Sequence, residues 1–445
     1  MTNTIVAEKA VRISSFNGIE VYRINSVKFK TSSIHFFFQD NLTRESVTKN
    51  SLLPAVMRRG SRNYPTLGDI SMQLENLYGA TFDCGVTKKG ERHIMQFYAE
   101  FLSKRYIPDG TDSFKASFEL LYDIITRPAL ENGRFREDYL EQEKDKLKIL
   151  IEGRVNDKMS YSVDRCLEET CSDEPYGIYD YGFVEDLPGI SAEALTNHYK
   201  KVMETYPLQV YLAGDISDED TKDVLDRLSG FQRGNILQLG NGFSKKQPEK
   251  TRYVTEPMNV AQGKLCIGFR TNTPPGDPDY SALMVYNGVL GGGIHSKLFQ
   301  NVREKASLAY YSYSRLEKFK GLMVISSGIE TQNKDKALEI ILSQLEAIKN
   351  GEISDRELEA TVKSMETGLK SLGDSQLSLV DFYLSQSVSG TNDNLGDIDE
   401  KIKKVTKDQI IRTAQNIKLD TVYFLMPQGV GTEGGAQGGQ EEIGQ

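Results

Sequence analysis

The chain has 445 residues, 38% hydrophobic and 26% charged, with a formal net charge of −9. A chain this long buries a large core without needing disulfides or metals to hold it, and its length suggests two to four domains. Its 54 basic residues form no long run or aromatic-interleaved stripe, which argues against nucleic acid as a partner, and no apolar stretch reaches the roughly 18 residues that cross a bilayer, which argues against a membrane span.

In chain order, the N-terminus MTNTIVAEKAVRISSF has neither the basic start nor the apolar run of a secretory signal, so a cytoplasmic location is expected. The segment SLLPAVMRRGS carries a proline at 54, and Pro54 is expected to disturb a helix there unless it lies in the first turn. Thr66 then precedes a stripe of Leu67, Ile70, Leu74 and Leu77, with Asp69 placed for a capping box and Gly79 as a stop. HIMQFYAEFL alternates Met95, Phe97, Ala99 and Phe101 against Gln96, Tyr98 and Glu100, a strand with two different faces. A polar stretch over 230–251 reads as a linker. GLMVISSGIE beyond it reads as a strand, and Ala337, Leu338, Ile341, Leu342, Leu345 and Ile348 form a helical stripe. From 428 the chain has almost no apolar side chains and is expected to be a disordered tail.

The two sides of the linker resemble each other. FREDYLEQEKDKLKIL has the character of SDRELEATVKSMETGL, and GISAEALTNHYKKV that of KVTKDQIIRTAQNI. Each of the latter pair precedes an apolar strand candidate, LQVYLAG and TVYFLMP. An offset of about 217 residues relates the pairs, which indicates a duplicated unit. The expected class is α+β: two homologous units, each an antiparallel-type sheet covered by helices. The boundaries are 1–229, a linker 230–251, 252–427, and the tail 428–445.

The strongest local pattern is LGGGIHSKLFQNVREKASLAYYSYS, from Leu290. Gly291, Gly292 and Gly293 permit a tight backbone path, and a helix follows with Leu298, Phe299 and Val302 turned inward. Arg303 falls near its end, and Tyr310 lies seven residues on, at the start of a strand. That spacing can set an Arg and a Tyr side by side as donors to one acceptor, such as a peptide carbonyl. The stretch resembles the C-terminal signature of the pitrilysin/insulinase peptidases: a glycine run, then S-[RK]-L-F, R-E-K and a Tyr. The resemblance implies that Arg303 and Tyr310 bind substrate carbonyls, where they would stabilise developing negative charge. It also implies the fold of that family for nearly the whole chain.

That family binds zinc through H-x-x-E-H in its first half, two His on one helical face with a Glu that activates water. The matching segment here is SLLPAVMRRGS. The first His position is Ser51, the Glu position Pro54 and the second His position Ala55. None of the three supplies an imidazole or a carboxylate. The family's third ligand is a later Glu, matched by Glu152, but one Glu makes no zinc site. His35, His93, His198 and His295 are far apart in sequence, and Cys84, Cys166, Cys171 and Cys266 have no zinc spacing and no C-x-x-C; neither a metal nor a disulfide framework is expected, in keeping with a reducing compartment. No P-loop or G-x-S-x-G elbow is present.

The resemblance therefore implies no catalysis by this chain alone and no cofactor on it. It implies a non-catalytic subunit that pairs with an H-x-x-E-H-bearing paralogue, which would hold the zinc, and that forms half of a peptide chamber. The alternative is an inactive peptide-binding or structural module that forms a homodimer or a core-protein-like assembly.

Overall fold

The computed structural model describes residues 8–240 and 242–428. The stretch expected to be a tail lies outside these residues from 429 onward.

The first half begins with strands β1 (Ala10–Phe16), β2 (Ile19–Asn25) and β3 (Thr31–Asn41). Helices α1 (Val47–Met57) and α2 (Leu67–Asn76) follow, then strands β4 (Thr81–Lys89) and β5 (Arg92–Leu102). After α3 (Ser113–Thr126) comes a short ribbon, β6 (Leu130–Glu131) and β7 (Arg134–Phe135), then α4 (Glu137–Gly153) and α5 (Lys158–Thr170). Helix α6 (Ala192–Thr205), strand β8 (Leu208–Gly214) and α7 (Asp218–Ser229) complete it.

The second half opens with β9 (Arg252–Met258), β10 (Gly263–Arg270) and α8 (Tyr280–Gly291). A π-helical turn at Phe299–Lys305 leads into the hairpin β11 (Ala309–Glu317) and β12 (Leu322–Ile329). Helices α9 (Lys334–Lys349), α10 (Asp355–Gly373), α11 (Gln376–Ser389), α12 (Leu395–Lys403) and α13 (Lys407–Asn416) precede the last strand, β13 (Lys418–Pro427).

The two sheets share one topology. The first has the order β1-β2-β8-β3-β5-β4 and the second, from its far edge, β9-β13-β10-β12-β11. Without β1 they superpose strand for strand. The sheets are mainly antiparallel, but each has one parallel pair, β2 with β8 and β9 with β13. The duplicated helices start alike: Ser191 caps α6 and Thr406 caps α13, each side-chain oxygen accepting from the backbone N–H three residues on. Thr66 and Asp69 form the expected capping box on α2, and Ser354 and Glu357 form another on α10. Such caps satisfy N–H groups that have no partner inside the helix.

The alternation in β5 is what places the core. Met95, Phe97, Ala99 and Phe101 point into a cluster with α1, α3, α4, α6 and α7. The second sheet buries Leu265, Ile267, Phe269, Met323 and Ile325 against α8, α9 and α13 in the same way.

The opposite face of each sheet is covered by a helix from the other half. Leu379, Val380, Tyr383 and Leu384 of α11 pack on Ile24, Phe37, Ile94 and Tyr211 of the first sheet. Val163, Cys166 and Leu167 of α5 pack on Cys266, Val324, Tyr423 and Leu425 of the second. Burying the four α11 side chains stabilises the pairing by something on the order of 8 kcal/mol.

Charged groups also lock the halves together. Glu174, between α5 and α6, lies 2.7 Å from Arg270 and 2.8 Å from Lys320. Lys320, 1% exposed, also meets Glu91 at 2.5 Å, and Arg270 meets Asp420 at 2.9 Å. Burial alone would raise the Glu174 carboxyl; its hydrogen bonds to Lys320 and Arg270 outweigh that and hold it below its ordinary value. At the same junction the β4–β5 turn abuts the β11–β12 turn, where a Cβ on Gly90 would lie 2.9 Å from the Phe319 Cβ.

Candidate functional site

Helix α1 carries the degenerate zinc segment, and it corrects the expectation for Pro54. The proline is the eighth residue of an eleven-residue helix, not part of its first turn, and the helix is not broken. Pro54 removes the donor that the Asn50 carbonyl would take. Burial of Leu52, Leu53, Val56 and Met57 holds the turn in place, and the Arg58 N–H still reaches the Pro54 carbonyl at 3.0 Å. The Cys84 thiol donates to that same carbonyl at 3.2 Å.

The residues at the motif positions do not fit a zinc ion. The Ser51 hydroxyl is buried and lies 2.9 Å from the Val47 carbonyl and 2.8 Å from the Asp180 carbonyl, so its one proton is already engaged. The 178–186 segment covers this face of the helix. The Phe183 N–H donates to Thr48 Oγ1 at 3.1 Å, and Thr48 donates to Asp186. Gly182, at φ +82°, is pressed so closely onto Thr48 that a Cβ would come within 2.3 Å of its hydroxyl. Ala55 brings no donor atom. Glu152 is exposed near the end of α4, with Lys148 at 4.0 Å as its ion partner. The buried carboxylate of that helix is Glu143, which meets Arg59 at 3.2 Å and Lys146 at 2.6 Å.

Sequence reasoning missed a polar network directly under this helix. Asn50, one residue before the first lost ligand, lies 2.7 Å from His198 Nε2 and 3.3 Å from His93 Nδ1. It also donates to Asp40 at 2.9 Å, and Asp40 accepts from Ser46 and Tyr206 at 2.7 and 2.8 Å. Burial depresses both imidazoles to about 4, which keeps them neutral. The two histidines come from β5 and α6, and only the strand and helix pairing brings them to one amide. Among the described residues, no three His, Cys, Asp or Glu side chains converge in a way that could hold a metal.

The second half presents the Arg/Tyr pair on two backbone irregularities. Glycine is needed where α8 ends: a Cβ on Gly291 would lie 2.3 Å from the Ser314 nitrogen. The helix after it is a π-turn, a form found often at functional sites. Leu298 and Val302 anchor it in the core, while Phe299 is only partly buried. The Arg303 guanidinium lies 4.6 Å over the Phe299 ring, is 40% exposed, and has Glu304 at 3.8 Å. Ser307 then takes a positive φ of 52°. In the next strand Ala309 pairs with Ile329 and Tyr311 with Gly328, so Tyr310 is the extra residue of a β-bulge. Bulges re-aim a side chain, and Tyr310 is 77% exposed. Among the described residues, neither Arg303 nor Tyr310 donates a hydrogen bond to another protein group, and the two are not bonded to each other.

A duplicated, helix-covered sheet, with Ser51, Pro54 and Ala55 where the resemblance places zinc ligands, fits the class of metallopeptidase homologues without those ligands. The family model described as "Peptidase M16 inactive domain" matches residues 189–365. The chain is 37% identical over 423 residues to "Probable inactive metalloprotease YmfF" of Bacillus subtilis, covering 95% of this chain and 98% of that one. It is 26% identical over 385 residues to "Uncharacterized zinc protease YmxG" of the same organism, covering 83% and 88%. The crystal structure of a conserved protein from Enterococcus faecalis matches with a TM-score of 0.86 at 28% identity, over 94% of this chain and 99% of that one. The chain belongs to the peptidase M16 family, the pitrilysin/insulinase peptidases, among its zinc-less members.

No helix among the described residues is long and apolar enough to cross a membrane.

Proposed function

We propose that this chain is the companion subunit of a two-chain zinc peptidase. It supplies Arg303 and Tyr310 as substrate-carbonyl donors and forms half of the chamber around the peptide. Its partner is a paralogue with an intact H-x-x-E-H helix, and any zinc belongs to that partner.

One observation carries the reading. The π-turn under Arg303 and the bulge at Tyr310 leave two donors exposed on one connection, neither hydrogen-bonded to another protein group among the described residues. A guanidinium and a phenol in that position donate to a peptide carbonyl and stabilise charge as it develops on the oxygen. A purely structural helix and hairpin need neither irregularity. With no zinc ligands on α1, a site served by these donors would lie on another chain.

The test is co-purification from native lysate, followed by kinetics on the reconstituted pair. A stoichiometric H-x-x-E-H partner is expected, and Arg303→Ala in the complex is expected to lower kcat/KM by about 100-fold, the usual scale for such a donor. Unchanged turnover sinks the assignment of Arg303. A homodimer with no such partner favours an inactive peptide-binding module instead.

A further inference from the structure

A cavity of about 640 Å³ lies where the two halves exchange helices. Phe37 and Tyr98 of the first sheet form one wall, and Leu377, Val380 and Phe382 of α11 the other. Lys318, from the turn between β11 and β12, reaches into it from the second half.

Lys318 differs from the other cations around it. Lys89 holds Asp381 at 2.6 Å, and Lys320 holds Glu91 and Glu174. Arg58 takes Asp83, the other carboxylate of the cavity, at 3.3 Å. Glu317, next to Lys318 in sequence, lies close enough to Tyr176 to help raise its phenol. Lys318 has no ion pair or hydrogen bond among the described residues; its ammonium has only the Phe319 ring, 5.0 Å away. A half-buried cation without a counter-ion, facing an apolar wall, is unfavourable unless something completes it.

We propose that this cavity binds a carboxylate that ends an apolar chain, with Lys318 as its counter-ion and the α11 side chains as the wall for its tail. The geometry matches both parts of such a ligand. Leu377 is exposed, and covering it removes apolar surface from water. Burial and the nearby Lys89 weaken the hold of Lys318 on its proton, more than Asp381 and Glu317 strengthen it, and an incoming carboxylate opposes that. The chemistry has two sources, a free fatty acid or the C-terminus of a peptide that ends in an apolar residue. The inference does not use Arg303 or Tyr310, so its failure leaves the subunit reading untouched.

The experiment is calorimetric titration of the full chain with decanoate, with a hexapeptide ending in free leucine, and with the same peptide amidated. One-to-one binding of decanoate assigns the fatty-acid source; binding of the acid peptide but not its amide assigns the peptide source. In either case Lys318→Met is expected to weaken binding by about tenfold or more, since a charge-assisted contact is lost. Leu377→Asp, at an exposed position, is expected to weaken it as well. Ligand should also slow trinitrophenylation of Lys318 in the unsubstituted chain, a readout that survives if Lys318→Met folds poorly. The proposal is overturned if no carboxylate binds, if Lys318→Met binds as tightly, or if the amidated peptide binds as tightly as its acid.

Discussion

Glu174→Gln removes one negative charge from the junction of the halves while preserving shape. Glu174 and Lys320 are 4% and 1% exposed at the side chain, and Arg270 is equally buried. Removing one partner of a buried pair costs about 3–5 kcal/mol, because the remaining charge stays buried without compensation. Here each cation keeps a second anion, Glu91 for Lys320 and Asp420 for Arg270. The expected loss is therefore at the low end, about 3 kcal/mol. The pH dependence has a definite sign. The Glu174 carboxyl is held below its ordinary value of 4.5, so its contribution is complete above that pH and fades as pH falls through the lower folded value. Urea unfolding followed by circular dichroism at pH 7, and again towards pH 4, measures both effects. Equal midpoints at pH 7, or a gap that widens as pH falls, would refute the reasoning.

Other outcomes follow from the same structure. Leu379→Ala on α11 is expected to cost about 3 kcal/mol, the usual range for a buried leucine, measured by the same unfolding assay. Burial pushes the Cys84 and Cys171 thiols up to about 12 and raises Cys166 and Cys266 too. At pH 8 a disulfide reagent should thus label the folded chain slowly and all four cysteines promptly after unfolding. His93 and His198, depressed to about 4, bind protons later than in the unfolded chain, so stability should decline as pH falls from about 6.5 towards 4; imidazole resonances titrating near 6.5 would contradict this. Restoring Ser51→His, Pro54→Glu and Ala55→His together is expected not to recover stoichiometric zinc by elemental analysis, because the 178–186 segment already covers that face of α1.

Much of the architecture was written in local patterns. The capping box of Thr66 with Asp69 and the alternation in β5 depend on neighbours in sequence, and both are found as expected. The duplication was visible because α6 and α13 keep the same cap and strand sequel. Four features were not legible. Pro54 inside α1 is tolerated through tertiary burial, which no local rule reports. Asn50, His93 and His198 meet only because β5, α1 and α6 pack together. The exchange of α5 and α11 leaves no mark in either helix, since an apolar stripe does not say which sheet it covers. The bulge at Tyr310 was equally silent, as a register shift depends on the partner strand.

The exchange of helices has a consequence for synthesis. The first sheet closes at β8, yet the helix that covers its second face is α11, beginning at Gln376. At ribosomal speeds of roughly 5–20 residues per second, the side chains of Ile24, Phe37, Ile94 and Tyr211 wait on the order of ten to thirty seconds for that cover. During that interval the nascent chain carries a bare aromatic surface. Each half depends on a helix from the other to cover one face of its sheet.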